Sequence, residues 1–366
     1  MNRLSRRAVL AALGATVPAA FAASVAPGPR RAWIDVHHHF IPPAFRTFYA
    51  SARTAAGTPA VPPPMTWNVE ADLEDMERGN TQIAVLSIFV PYDAGTPESR
   101  ARLARETNEQ ALELAGRYPG RFGRFASLPL PEIDASLAEV GYALDTLRAD
   151  GVALYTNLGD RWLGDAYFDP LFAELNRRRA VVFVHPTTAN CCRGLVPGVP
   201  DNIIEYGTDT TRAIASVVFG GSSTRFPDIR FIFSHGGGTM PFLIERFLGG
   251  ASAEILPGIR TSGQPGPYVP KAPPGGTLNA LRRLYFDTAQ CANPVALAAL
   301  RAVVPPAQIL YGTDYFYRDA AGTSAAIEAS RVFSPHELDA IAAGNARSLL
   351  PAVASARSTS KPPERA

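Results

Sequence analysis

The chain has 366 residues, 46% of them hydrophobic and 19% charged, with 35 basic against 33 acidic side chains. That apolar content excludes a disordered chain, and a formal charge of +2 gives no overall basic excess of the kind that points to a nucleic-acid partner. Three cysteines cannot build a disulfide framework, and with Lys271 and Lys361 as the only lysines, lysine chemistry is excluded almost everywhere.

The first segment reads as an export signal. Arg6 and Arg7 stand just before an apolar run over 8–23, and Ala20-Phe21-Ala22 has the small-x-small form of a cleavage site. Gly14 and Pro18 interrupt this run, which is also short of the roughly 20 apolar residues that a membrane span needs. The expected organisation is a twin-arginine signal peptide and linker over 1–26, a folded domain over 32–351 and a disordered tail over 352–366. The tail is small, polar and proline-containing.

Between the ends, short apolar runs alternate with segments of helical period. Strands are expected at 32–36, 82–88, 122–128, 151–155, 181–185, 229–235, 283–288 and 308–314. Helices are expected at 98–118, 134–149, 170–179, 209–219, 239–248 and 294–302. Runs such as Val181-Val182-Phe183-Val184 are apolar throughout, as in parallel strands covered on both faces. Eight such runs, most followed by a helix, fit an α/β chain folded as a (β/α)8 TIM barrel. A Rossmann fold lacks its glycine-rich turn after the first strand. Two stretches, 54–64 (rich in Pro and Ala) and 256–276 (dense in Gly and Pro), read as inserted loops at the C-terminal mouth.

The six histidines carry most of the chemistry, and five of them stand at the ends of strand runs. His37, His38 and His39 follow Trp33-Ile34-Asp35-Val36, His185 ends the fifth run and His235 the sixth, while Asp314 ends the eighth. Side chains two apart on a strand share a face, so His37 and His39 project together and His38 points away. In a closed barrel all strand C-termini meet at one mouth. Residues from distant parts of the chain therefore converge there. Three imidazoles with a carboxylate suit one divalent ion, zinc first and manganese second, with a position left open for water or substrate. Asp35 is placed to orient a neighbouring imidazole. Cys191, Cys192 and Cys291 lack the spacing of a zinc knuckle and receive no catalytic role.

These residues lie in the motifs Asp35-Val36-His37-His38-His39-Phe40-Ile41-Pro42-Pro43, Val184-His185-Pro186, Ser234-His235-Gly236-Gly237-Gly238 and Tyr311-Gly312-Thr313-Asp314-Tyr315. As an ordered set over 32–351 they resemble the amidohydrolase superfamily, in the branch of the 2-amino-3-carboxymuconate-6-semialdehyde decarboxylases. Ser127-Leu128-Pro129-Leu130-Pro131, Trp162-Leu163-Gly164-Asp165 and Asn190-Cys191-Cys192 are similar to the 6-methylsalicylate decarboxylases within it. The resemblance implies His37, His39, His185 and Asp314 as metal ligands and His235 as the catalytic histidine. It also implies Arg246 on the substrate carboxylate, supplied across the interface of a homodimer. No arginine lies between Met65 and Glu77, where semialdehyde-type relatives have another, so a substrate with one carboxylate is expected.

The implied reaction is non-oxidative decarboxylation of a 2-hydroxybenzoate-type aromatic acid, releasing carbon dioxide. Direct loss of carbon dioxide from an arene would leave an aryl anion; protonating the ring carbon first avoids it. Asp314 and His235 are the expected proton-handling pair. The alternative is a mononuclear metal-dependent hydrolase of an amide, lactone or ester. The fourth strand run, Gly151-Val152-Ala153-Leu154-Tyr155, has no lysine to bridge two metals, so one metal is favoured either way. The expected partner is a small aromatic carboxylic acid, with no nucleic acid and no membrane span after signal cleavage. The leader implies the periplasm or secretion, whereas the family resemblance alone implies the cytoplasm.

Overall fold

All eight apolar runs are strands in a computed structural model, which describes residues 30–55, 67–249, 272–350 and 353. The expected leader over 1–26, the tail over 352–366 apart from Val353, and most of the loops read at 54–64 and 256–276 lie outside the described residues. The strands are β1 (Trp33–His39), β2 (Thr81–Ser87), β3 (Phe122–Ser127), β4 (Gly151–Tyr155), β5 (Val181–His185), β6 (Arg230–Phe233), β7 (Tyr285–Asp287) and β8 (Ile309–Leu310). They pair in sequence order as one eight-stranded sheet, every pairing parallel. The sheet closes because Val36 N–H donates to Tyr311 O at 3.0 Å, Asp314 N–H to His37 O at 2.9 Å and His39 N–H to Tyr315 O at 2.9 Å. This is the expected TIM barrel.

The longer helices are α1 (Pro43–Ala55), α2 (Val69–Gly79), α3 (Pro97–Arg117), α4 (Ile133–Gly141), α5 (Asp169–Arg177), α6 (Asp201–Phe219), α7 (Ile244–Leu248), α8 (Pro294–Val303) and α9 (Ala320–Ala329). Their starts follow local chemistry. Thr96 caps α3 in a reciprocal pair with Ser99, with Pro97 in the first turn, and Asn293 caps α8 ahead of Pro294. Two boundaries differ from the periodicity. The helix expected at 209 begins at Asp201; its first turns expose Ile203 and Ile204, so no apolar stripe marks them in the sequence. The helix expected at 239–248 is shortened to α7, since Gly236, Gly237 and Gly238 take positive φ and hold the preceding chain in turns. Among the described residues, no helix is long and apolar enough to cross a membrane.

The core has two layers. Ile34, Val36, Ile83, Val85, Phe125, Val181, Phe183 and Ile232 pack together inside the barrel. Val152, Leu154, Val182, Val184, Phe231 and Phe233 pack outward under the helices. Strict alternation from Val36 would send His38 inward. The register of β1 against β2 instead shifts between Asp35 and His38, so three steps on β1 match two on β2. The extra residue turns His37 and His39 toward the mouth and His38 outward to α2, the re-aiming that a β-bulge performs.

Candidate metal centre

The five predicted residues meet at the C-terminal mouth of the barrel. Single donor atoms of His37, His185, His235 and Asp314 all lie within 4.8 Å of one another. His39 belongs to the same cluster: its Nε2 is 3.2 Å from His37 Nε2 and 3.1 Å from Asp314 Oδ1. His37 Nε2 is 3.2 Å from the same oxygen.

What surrounds the imidazoles decides which nitrogen each presents. His37 Nδ1 is 2.8 Å from Asp287 Oδ2, His185 Nδ1 is 2.9 Å from Pro186 O and His39 Nδ1 is 3.4 Å from Ser87 O. Each of these oxygens accepts only, so each Nδ1 carries the hydrogen and each Nε2 offers a lone pair inward. Three such lone pairs facing a carboxylate are favourable only around positive charge. His235 Nε2 and Asp314 Oδ1 are buried with no hydrogen-bond partner among the described residues, orphaned polar atoms that a bound cation would satisfy. The donor set fits one divalent ion.

The electrostatics agree. Burial disfavours the His37 cation, but the Asp287 and Asp314 carboxylates outweigh it and push this imidazole up to about 10. Burial raises Asp314, yet the neighbouring imidazoles of His37, His235 and His39 hold it well below the ordinary carboxylate range. Burial and the neighbouring imidazoles push His185 well down, and burial lowers His39; both stay neutral, as ligands must.

Asp314 uses its two oxygens differently. Oδ1 faces His37 and His39, whereas Oδ2 accepts the Gln290 Nε2 hydrogen at 2.8 Å and lies 3.4 Å from His235 Nε2. His235 (φ 56), Gln290 (φ 55) and Asp314 (φ 69) all sit in the left-handed region, an uncommon and strained backbone for non-glycine residues that concentrates at functional sites.

Asp35 orients an imidazole as expected, and that imidazole is His38. His38 Nδ1 is 3.0 Å from Asp35 Oδ2, and Nε2 is 2.8 Å from Asp72 Oδ1 on α2. Thr313 N–H and Oγ1 donate to Asp35 at 3.1 Å and 2.5 Å. Burial opposes the His38 cation, but Asp72 and Asp35 raise it to about 10.

A cavity of about 1060 Å³ opens above the donors, lined by Phe89, Tyr155, Tyr206, Phe316 and Tyr317 among others. Phe40 is buried outside this lining, and Trp162, also outside it, donates its Nε1 hydrogen to Asp209 Oδ1 at 2.8 Å. Cys291 lines the cavity, and burial pushes its thiol up, which keeps it protonated. Arg246 is exposed on α7 and does not line the cavity of its own chain. Sequence reasoning passed over Asp287 and Gln290. Asp287 stood one residue before the end of the seventh strand run (283–288) and so carried a weaker form of the signal that marked Asp314; Gln290 carried none.

A family model described as Amidohydrolase matches residues 34–352. Decarboxylase yanB of Aspergillus niger is 39% identical over 300 residues, covering 78% of this chain and 77% of that protein. The 6-methylsalicylic acid decarboxylase of Penicillium expansum is 37% identical over 291 residues, covering 77% of this chain and 84% of that one. The crystal structure of a dihydroxybenzoic acid decarboxylase from Polaromonas sp. JS666, with bound manganese and the inhibitor 2-nitroresorcinol, shares the fold. It gives a TM-score of 0.69 at 17% identity, covering 88% of this chain and 97% of that one. The match spans the barrel from its first strand to its last helix and includes every donor at the mouth: the chain belongs to the amidohydrolase family.

Proposed function

We propose that the protein is a metal-dependent, non-oxidative decarboxylase of a 2-hydroxybenzoate-type aromatic acid of the 6-methylsalicylate kind. The observation that carries this reading is His235 Nε2, buried beside the donor cluster and without a hydrogen-bond partner among the described residues, in a chain 37% identical to a 6-methylsalicylic acid decarboxylase. In this reading His37, His39, His185 and Asp314 hold the ion, zinc in preference to manganese, and the fold domain spans 32–351. The bound ion would neutralise the substrate carboxylate and its adjacent phenolic oxygen.

The chain's own residues do the rest. Phe89 and Phe316 line the cavity as apolar walls and exclude water from the ring face. Asp314 Oδ2 and His235 Nε2, 3.4 Å apart, form a proton hand-over beside the substrate. One proton goes to the ring carbon that bears the carboxylate. The carbon–carbon bond then breaks, its electron pair restores the aromatic ring, and carbon dioxide leaves. His235 takes up the next proton from solvent through the cavity.

Arg246 enters this scheme from a second copy of the chain. Phe242 (63% exposed) and Leu243 flank it at the surface, and Ile203 (68% exposed) and Ile204 are bare as well; a homodimer would cover such side chains. The leader adds twin-arginine export to the periplasm or outside.

The test combines metal analysis of purified protein with a panel of hydroxybenzoates, each followed by carbon dioxide release with and without chelator. Release from at least one 2-hydroxybenzoate, abolished by chelator, is expected. Cleavage of an amide, lactone or ester with no release across the panel would make the protein a hydrolase instead. Fractionating cells that carry Arg6→Lys and Arg7→Lys tests export: the double variant should stay in the cytoplasm.

A further inference from the structure

Asp287 closes β7 with its side chain wholly buried, and its two oxygens serve two different parts of the mouth. Oδ2 lies 2.8 Å from His37 Nδ1. Oδ1 accepts the main-chain N–H of His235 at 2.8 Å and that of Ala289 at 3.0 Å. The packing that permits this is tight. A Cβ on Gly312 would lie 2.9 Å from His37 Cβ and 3.0 Å from Asp287 Cβ, so glycine is needed where the closing segment passes the pair.

We infer that Asp287 is a positioning residue that sets the tautomer of His37 and the seat of His235 together, so ion retention and proton delivery share one side chain that touches neither ion nor substrate. An ionised carboxylate can only accept, which keeps the hydrogen on His37 Nδ1 and the lone pair on Nε2. The other oxygen holds the main-chain N–H of a residue whose φ of 56 is sparsely populated without such a tie. An amide of the same size breaks this arrangement. Turned one way, its NH2 group faces His37 Nδ1 and drives the hydrogen onto Nε2, where the ion would bind. Turned the other way, it opposes the two main-chain N–H groups.

This inference rests on the metal-site reading above, and its test separates the two. Zinc dissociation constants are measured by chelator competition for the wild type, Asp287→Asn and Asp75→Asn. Asp75 is also buried but accepts from Ala320 N–H and touches no proposed ligand. Asp287→Asn should bind zinc about 10- to 100-fold more weakly, and at saturating zinc its kcat should fall at least about tenfold with KM nearly unchanged. Asp75→Asn should bind as the wild type does. Wild-type affinity in Asp287→Asn overturns the positioning role alone; a wild type that does not bind zinc overturns the metal site. Should Asp287→Asn not fold, 15N-histidine spectra of zinc-loaded wild type decide. A hydrogen on His37 Nδ1 with zinc on Nε2 is expected, and zinc on Nδ1 would refute the inference.

Discussion

His235 and Asp314 differ in what holds them, and that difference separates their variants. The His235 main chain is tied to Asp287 by its N–H, a bond that survives replacement of the side chain. His235→Ala should therefore lose turnover by a factor on the order of 10² to 10⁴ while metal content, read by elemental analysis, stays near that of the wild type. Asp314→Asn should lose the metal itself, because Oδ1 faces two of the imidazoles. Gln290→Leu leaves Asp314 Oδ2 without its amide donor; we expect a lower kcat with the metal retained, seen as a KM-against-kcat split. At this scale the sequence was legible where imidazoles and a carboxylate closed strand runs: the five side chains that the fold brings together at the mouth were named that way. Asp287 was missed although it stood beside a strand end, because it serves the ring nitrogen of His37 that faces away from the donor cluster, a direction no spacing encodes. Gln290 was missed because a neutral amide in a loop has no pattern of its own.

The strand β1 shows how an element can be located correctly and still be aimed by something else. Its apolar run and the triplet after it were readable; the added residue that rotates His37 and His39 inward depends on pairing with β2. The outward result is the His38 imidazole clamped between Asp35 and Asp72, tying β1 to α2 and to Thr313. Removing one member of a buried ionic group leaves the others uncompensated, so His38→Ala should cost about 3–5 kcal/mol, measurable by denaturant unfolding. The pH dependence has a definite sign. His38 stands at about 10 in the fold against about 6.5 in an unfolded chain. Its contribution is thus complete below about pH 6.5 and disappears as pH rises through about 10. Unfolding midpoints of zinc-loaded protein should fall over that window, and His38→Ala should flatten the fall. Helix boundaries were less legible where tertiary context overrode the period: α6 runs eight residues earlier than its apolar half because Ile203 and Ile204 face outward.

At the scale of the molecule, a bound ion would stabilise the barrel as well as serve the proposed reaction. A ligand that binds only the folded state stabilises it by about 4 kcal/mol at a thousand times its dissociation constant, so chelation should lower the thermal midpoint by several degrees, reversed by zinc. Light scattering should report a dimer, and Phe242→Glu in the exposed patch beside Arg246 should shift it toward monomer and weaken turnover together. The barrel was predictable because eight short apolar runs, several of them uniform like 181–184, alternate with segments of helical period.

The seam between the first and last strands has a temporal corollary. Asp35 and Thr313 stand 278 positions apart yet are hydrogen-bonded, and the neighbouring His37 and Asp314 share the same joint. On a ribosome, the opening histidines would emerge long before the aspartate that completes them, and such distant contacts form late in any folding sequence. A stalled or clipped polypeptide ending short of Asp314 would hold a cation poorly, so tight occupancy would certify that translation had passed this residue.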